Sequence, residues 1–193
     1  MQIYLAGPEV FLKNAKELGN QKKELCKKYG FVGVFPLDKE VDTEGKTPRE
    51  IGLCISAINE DLIRGSDLVI ANLTPFRGIS ADVGTVYEVG FAHGLGKKIF
   101  AYTNVAELFM ERTVKTLKPQ PKRTADGKLR DAHEMFIEEN ELVDNLMLDG
   151  CIHASTGWVI VEKAPEDQLF TYLRGFEKCL RQAKQIAKSE KGL

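Results

Sequence analysis

Asp67 to Leu73, which reads Asp-Leu-Val-Ile-Ala-Asn-Leu, narrows the possible folds more than any other stretch. Its apolar residues follow one another with little alternation. That is the pattern of a strand covered on both faces, as in a parallel sheet between two layers of helix. Four other short apolar runs fit the same sheet. Gln2 to Ala6 stops at Gly7-Pro8 and Phe31 to Phe35 stops at Pro36-Leu37-Asp38, while Ile99 to Tyr102 and Gly157 to Val161 complete the set. Helical spacing fills the gaps. Phe11, Leu12, Ala15, Leu18 and Leu25 share one side of Glu9 to Lys28, which Gly30 closes. From Pro48 to Arg64 the repeat is Ile51, Cys54, Ile55, Ile58 and Leu62, and a third helix begins at Asp82 and ends at Lys97-Lys98. Strand alternating with helix through short connections predicts an α/β fold: a doubly wound, flavodoxin- or Rossmann-like parallel sheet of about five strands, with helices on both faces. A single domain over residues 1–193 is expected.

Beyond Asn104 the alternation weakens. Val105 to Val114 and Phe136 to Leu148 have helical spacing. Between them residues 115–131 are basic, turn-rich and without interleaved aromatics, so a solvated flexible loop is expected there and not a nucleic-acid patch. Pro165 to Lys188 reads as a closing amphipathic helix with Leu169, Leu173, Phe176, Leu180 and Ala183 toward the core, and 187–193 as a frayed tail.

Bulk properties remove several function classes. A formal net charge of -1 gives no electrostatic case for nucleic acid or membrane as partner. No apolar stretch approaches the roughly 20 residues of a membrane span. Met1 leads straight into a strand-like run without a leader pattern, and the four cysteines lack a Cys-x-x-Cys spacing, so a cytoplasmic protein with free thiols is expected. His93, His133 and His153 lack a metal-ligand spacing. No Gly-x-Gly-x-x-Gly follows a strand, and neither a Walker-type loop nor a Gly-x-Ser-x-Gly elbow is present. Neither a metal nor a cofactor is expected.

What remains is a set of carboxylates. Glu88 is the lone carboxylate on the apolar face of its helix, which at 100° per residue it shares with Gly84, Thr85, Phe91, Ala92 and Leu95. A glutamate on such a face either pairs with a buried cation or looks into a hollow that a ligand fills. Gly84, one turn earlier, leaves room where Glu88 would lean. The turn after Asn72 belongs to the strand ends where doubly wound sheets bind ligands, which favours the hollow. Asp82 near the start of the same helix, Asp61 near the end of the preceding one and Tyr4 in the first strand supply further groups. Glycosyl chemistry can be run with such a set, one carboxylate attacking an oxocarbenium-like carbon. Helix capping or plain solvation is the competing reading for Asp61 and Asp82.

The chain resembles the nucleoside 2-deoxyribosyltransferases in five pieces that occur in the family's order: Tyr4-Leu5-Ala6-Gly7-Pro8, Phe35-Pro36-Leu37-Asp38, Asn59-Glu60-Asp61-Leu62, Asp82-Val83-Gly84 with Glu88-Val89-Gly90, and Asp144-Asn145-Leu146-Met147. The resemblance implies ping-pong transfer of 2-deoxyribose between purine and possibly pyrimidine bases, a step in nucleoside salvage, with deoxynucleoside and free base as partners. Glu88 matches the nucleophile, Tyr4 the residue that orients it, and Asp61 an acidic group beside the base, a candidate for proton transfer to the departing base. Asp82 matches a sugar-binding residue, with Gly84 next to it. Gly7 and Phe11 would face the base, and Asp38 would be a further substrate-binding residue. Asn145 and Met147 match a segment that completes a neighbouring subunit's site, which implies a homodimer or higher homo-oligomer. Two other outcomes stay open at this point: a deoxynucleoside 5′-monophosphate N-glycohydrolase, and a catalytically silent nucleoside-binding module. Glu9 follows the first strand, where it would repel a phosphate.

Overall fold

The computed structural model describes residues 1–189. Five parallel strands form the main sheet in the order β2-β1-β3-β4-β7: β1 is Gln2–Ala6, β2 Val32–Val34, β3 Leu68–Asn72, β4 Lys98–Thr103 and β7 Ile160–Val161. The three inner strands pair in continuous register, with Leu5 opposite Ile70 and Ile70 opposite Phe100. The order reverses direction at β1, so the ends of β1 and β3 flank the switch point where such sheets open a crevice.

Alternation along each strand sorts the core into two layers. Ile3, Leu5, Leu68, Ile70, Phe100 and Tyr102 face helices α1 (Ala15–Tyr29) and α6 (Arg174–Ser189), where Cys26, Phe176, Cys179, Leu180 and Ala183 are buried. Tyr4, Ala6, Val69, Ala71, Ile99 and Ala101 face helices α2 (Pro48–Gly65), α3 (Val83–Gly94) and α5 (Leu146–Ser155). β3 is buried along its whole length, as its uninterrupted apolar sequence predicts.

Local sequence sets the boundaries. Thr47 and Glu50 form a reciprocal capping box that starts α2, with Pro48 in the first helical position. Gly30, in the left-handed region at φ 89°, ends α1. Asp82 caps α3 by accepting from the Thr85 amide.

Several expectations are corrected. The segment from Glu9 begins as a short 3-10 turn, Pro8–Phe11, and α1 starts only at Ala15. The helix after Asn104 is α4, Phe109–Thr116. Lys122–Arg123 (β5) and Leu129–Arg130 (β6) pair antiparallel around Asp126 and Gly127, so the basic stretch holds a hairpin and not only loop. No helix spans Phe136 to Asn145, because Asn145 is the N-cap that starts α5. Leu169 precedes α6, since that helix begins at Arg174. Residues 187–189 continue α6, and the remainder of the expected frayed tail lies outside the described residues. Among the described residues no helix is long and apolar enough to cross a membrane.

Candidate active site

A cavity of about 280 Å³ opens at the carboxyl ends of β1, β2 and β3. The turn after β1 supplies Gly7, Val10 and Phe11, and the turn after β2 supplies Pro36 and Leu37. Helix α2 gives Ile55 and Asn59, while the start of α3 gives Asp82, Gly84, Thr85 and Glu88. A second hollow of about 230 Å³ runs between α2 and α3 and shares Ile55, Asn59, Gly84 and Glu88 with the first. Glu88 therefore faces open space on two sides.

The environment of Glu88 decides between the two readings of its sequence position. Among the described residues no cation pairs with it. Its Oε1 instead accepts from the Tyr4 hydroxyl at 2.5 Å, from a tyrosine that is completely buried. Burial raises the Glu88 carboxyl to about 7; the Tyr4 hydrogen bond opposes that rise, and the charges of Asp82 and Glu9 add to it. The Tyr4 hydroxyl is itself pushed far up by burial and by the adjacent carboxylate, so it stays a proton donor. The result is a carboxylate near neutrality, oriented by one donor and open to a ligand.

Asp82 is both a cap and a wall of the cavity. Its Oδ2 accepts from the Thr85 amide at 2.9 Å and from the Thr85 hydroxyl at 3.1 Å, while its Oδ1 makes no hydrogen bond among the described residues. A Cβ on Gly84 would come to 3.1 Å from that capping oxygen. Gly7 is more tightly constrained: a Cβ there would lie 1.9 Å from Oε2 of Glu9. Phe11 stacks on Phe76 at 5.1 Å between ring centroids, and the Arg77 guanidinium lies over both rings. Arg77 makes no ion pair among the described residues and is held at φ 54°.

Other expected site residues fall elsewhere. Asp61 is exposed and does not line the cavity. Asn59 does, and two residues along a helix is a rotation of roughly 200°, so only one of the pair can face the site. The Asn59 side-chain oxygen is buried without a partner among the described residues; the sequence reading missed Asn59, which helical phase with Ile55 would have found. Asp38 turns away from the cavity, accepting from the Phe35 amide at 2.9 Å and from Lys23 at 2.6 Å; it holds the turn that presents Pro36 and Leu37. Asn145 and Met147 do not line the cavity of their own chain. Asn145 caps α5 by accepting from the Met147 amide, and Met147 is 73% exposed.

Glu9 also differs from its expected role. It is completely buried, and its Oε1 accepts from Lys22 at 2.6 Å, Asn72 at 3.0 Å and Tyr102 at 3.1 Å. The Lys22 ammonium, equally buried, sits over the rings of Tyr102 and Phe176. The Lys22 pair offsets the Glu9 charge without cancelling it, since that charge still raises the Glu88 carboxyl, and Oε2 of Glu9 has no hydrogen-bond partner among the described residues. Among the described residues no group of three or more His, Cys, Asp or Glu is arranged to hold a metal.

Comparison with known proteins follows the same geometry. An uncharacterized protein of Schizosaccharomyces pombe is 30% identical over 182 residues, which is 89% of this chain and 86% of that protein. A solved 2-deoxyribosyltransferase from Leishmania mexicana is 27% identical, covers 89% of this chain and 95% of its own, and superposes with a TM-score of 0.57. A conserved protein from Enterococcus faecalis shares the fold at 18% identity and a TM-score of 0.53, over 95% of this chain and 98% of its own. The family profile described as nucleoside 2-deoxyribosyltransferase matches residues 3–147, a span that contains Tyr4, Asn59, Asp82 and Glu88. The chain belongs to the nucleoside 2-deoxyribosyltransferase family, whose members are glycosyl-transferring enzymes.

Proposed function

We propose that this protein transfers 2-deoxyribose between nucleobases by a ping-pong mechanism with Glu88 as nucleophile. The observation that carries the reading is the uncompensated Glu88 carboxylate, held by Tyr4 at 2.5 Å inside the cavity. Its Oε attacks carbon 1 of the sugar as the bond to the first base breaks, giving a glycosyl ester and the departing base. A nitrogen of a second base then attacks the same carbon and frees the carboxylate. Tyr4 fixes which oxygen accepts its hydrogen bond and leaves the other for attack. The unpaired Oδ1 of Asp82 is available to a sugar hydroxyl.

The apolar walls Val10, Phe11, Leu37 and Ile55 suit a flat heterocycle, with Asn59 as the polar contact. An amide both donates and accepts, so Asn59 can bind either type of edge atom on a base, but it cannot supply the proton that Asp61 was expected to give. The reading includes a homo-oligomer in which Asn145 and Met147 serve a neighbouring copy. It is supported by the exposure of Val83 (82%), Met147 (73%) and Trp158 (72%) on α3, α5 and the segment after α5.

One observation favours the alternative of a 5′-monophosphate N-glycohydrolase. Glu9 is paired internally, and Arg77 offers a cation near the cavity rim that no carboxylate neutralises among the described residues. A single assay separates the outcomes. Incubation with a deoxynucleoside and a second base, followed by chromatography, is expected to give the new nucleoside. Base release without exchange, preferentially from the 5′-monophosphate, would support the hydrolase, and absence of turnover would support a binding module.

A further inference from the structure

The loop between β3 and α3 carries Asp82, and the turn before α5 carries Asn145. Far apart in sequence, they are joined by one buried pair. Asp144 is 1% exposed. Its Oδ1 accepts from the Ser80 hydroxyl and from the Asn145 amide at 2.8 Å, and its Oδ2 accepts from the Ala81 amide at 2.9 Å. Arg112 of α4, also buried, reaches the Asp144 carboxylate at 3.6 Å. The rest of its guanidinium is spent on backbone carbonyls: Nε donates to Ile79 at 2.7 Å, Nη2 to Val143 at 2.8 Å, and Nη1 to Glu107. Asp149 completes the turn by accepting from the amides of Val143 and Asp144. The side-chain bonds of this pair run to 79–81, to 143–145 and to Glu107 just before α4.

We propose that Arg112 and Asp144 are positioning residues that set Asp82 and Asn145 as one rigid unit. The planar fork of an arginine fixes two carbonyls at once, which a lysine cannot do. Neither side chain lines the cavity, so neither touches substrate. The pair also gives α4 a purpose, since that helix lies outside the strand-helix alternation yet supplies the cation that pairs with Asp144 and bonds Ile79 in the Asp82 loop. Resting on the shared-site reading above, the proposal has a consequence across subunits: the same pair arranges a chain's own sugar contact and the segment it lends to its neighbour. Sites in the oligomer are then linked through a common buried part.

Asp144→Asn and Arg112→Lys, with Ser80→Ala as a milder companion that keeps both charges, are tested by steady-state exchange per mole of folded protein. The expected result is a KM for the deoxynucleoside raised about tenfold in the first two and about threefold in Ser80→Ala, with the KM for the acceptor base unchanged. An unchanged KM for the deoxynucleoside in all three, with any loss confined to kcat, would overturn the positioning role. Mixed oligomers test the link. In one mixture Glu88→Ala chains pair with Asp144→Asn chains, so the working site uses its own impaired loop. In the other, Glu88→Ala/Asp144→Asn chains in excess pair with unmodified ones, so the working site borrows an impaired turn. Raised KM in both supports the proposal, and an effect in the first alone overturns the cross-subunit part. If sedimentation shows a fully active monomer, the shared-site reading fails by itself, and the Ser80→Ala and Asp144→Asn constants still decide the positioning role.

Discussion

Glu9 and Glu88 are two carboxylates at the same edge of one sheet, on opposite faces and in opposite states. On the α1/α6 side Glu9 is sealed in with Lys22, Asn72 and Tyr102, so its charge is matched and its Oε1 is fully used. On the α2/α3 side Glu88 has a single donor, Tyr4, and open volume around it. A matched buried charge holds turns together, while an unmatched one beside a cavity stores reactivity. The difference is set by neighbours: α1 brings a lysine to Glu9, whereas the start of α3 brings glycine, threonine and the like charge of Asp82 to Glu88.

The comparison is broken most severely by Glu88→Ala. Deoxyribosyl exchange is expected to fall by about four orders of magnitude, measured by product formation, because the other carboxylate of the cavity, Asp82, is bonded to Thr85 and makes no hydrogen bond with Tyr4 among the described residues. Stability should then separate the two carboxylates by sign. Glu9→Gln leaves the buried Lys22 ammonium without its counter-charge and should destabilise by about 3–5 kcal/mol in denaturant unfolding. Glu88→Gln should stabilise. The folded carboxyl titrates near 7, above its ordinary 4.5, so the native state holds the proton more tightly and loses stability as pH rises from about 4.5 to 7. Removing that group should therefore raise stability at pH 8 by up to about 3 kcal/mol and change little at pH 4. A fall at pH 8 would contradict this account of Glu88.

Tyr4→Phe sharpens the contrast from the other side. The tyrosine hydrogen bond holds the Glu88 carboxyl down, so its loss should move the acid limb of the rate profile upward from about 7 and lower kcat by roughly tenfold to a hundredfold. An unmoved limb would show that Tyr4 does not govern the ionisation. The smallest effect expected is at the base side: Asn59→Ala should cost about tenfold in kcat/KM, against less than about twofold for Asp61→Ala.

Much of this architecture was legible in the residues. The unalternating run of β3, the turn residues closing β1 and β2, and the capping signals of α2 are local properties, and locality is what a sequence displays. Glu88 was legible for the same reason, since its apolar face follows from helical phase alone. The choice between a cation and a ligand for it was not, because Tyr4 lies 84 positions away. The pairing of Glu9 was hidden on the same ground: its partners Lys22, Asn72 and Tyr102 come from three different elements. Asp61 was a different kind of miss. Its motif match outweighed helical phase, and phase selects Asn59. Asn145 carried a helical pattern through its neighbours, yet its side chain begins a helix where the pattern only continued one.

The sheet's outer strands have a consequence for handling the protein. The three inner strands hold five, five and six residues, whereas the flanking strands hold only three in β2 and two in β7. Few unpaired amide and carbonyl groups are thereby displayed along the margins, so another chain finds little template for adding a strand. Such blunt margins favour concentrated, aggregate-free preparations, and mutations that lengthen β7 beyond Val161 would be the ones to watch for turbidity.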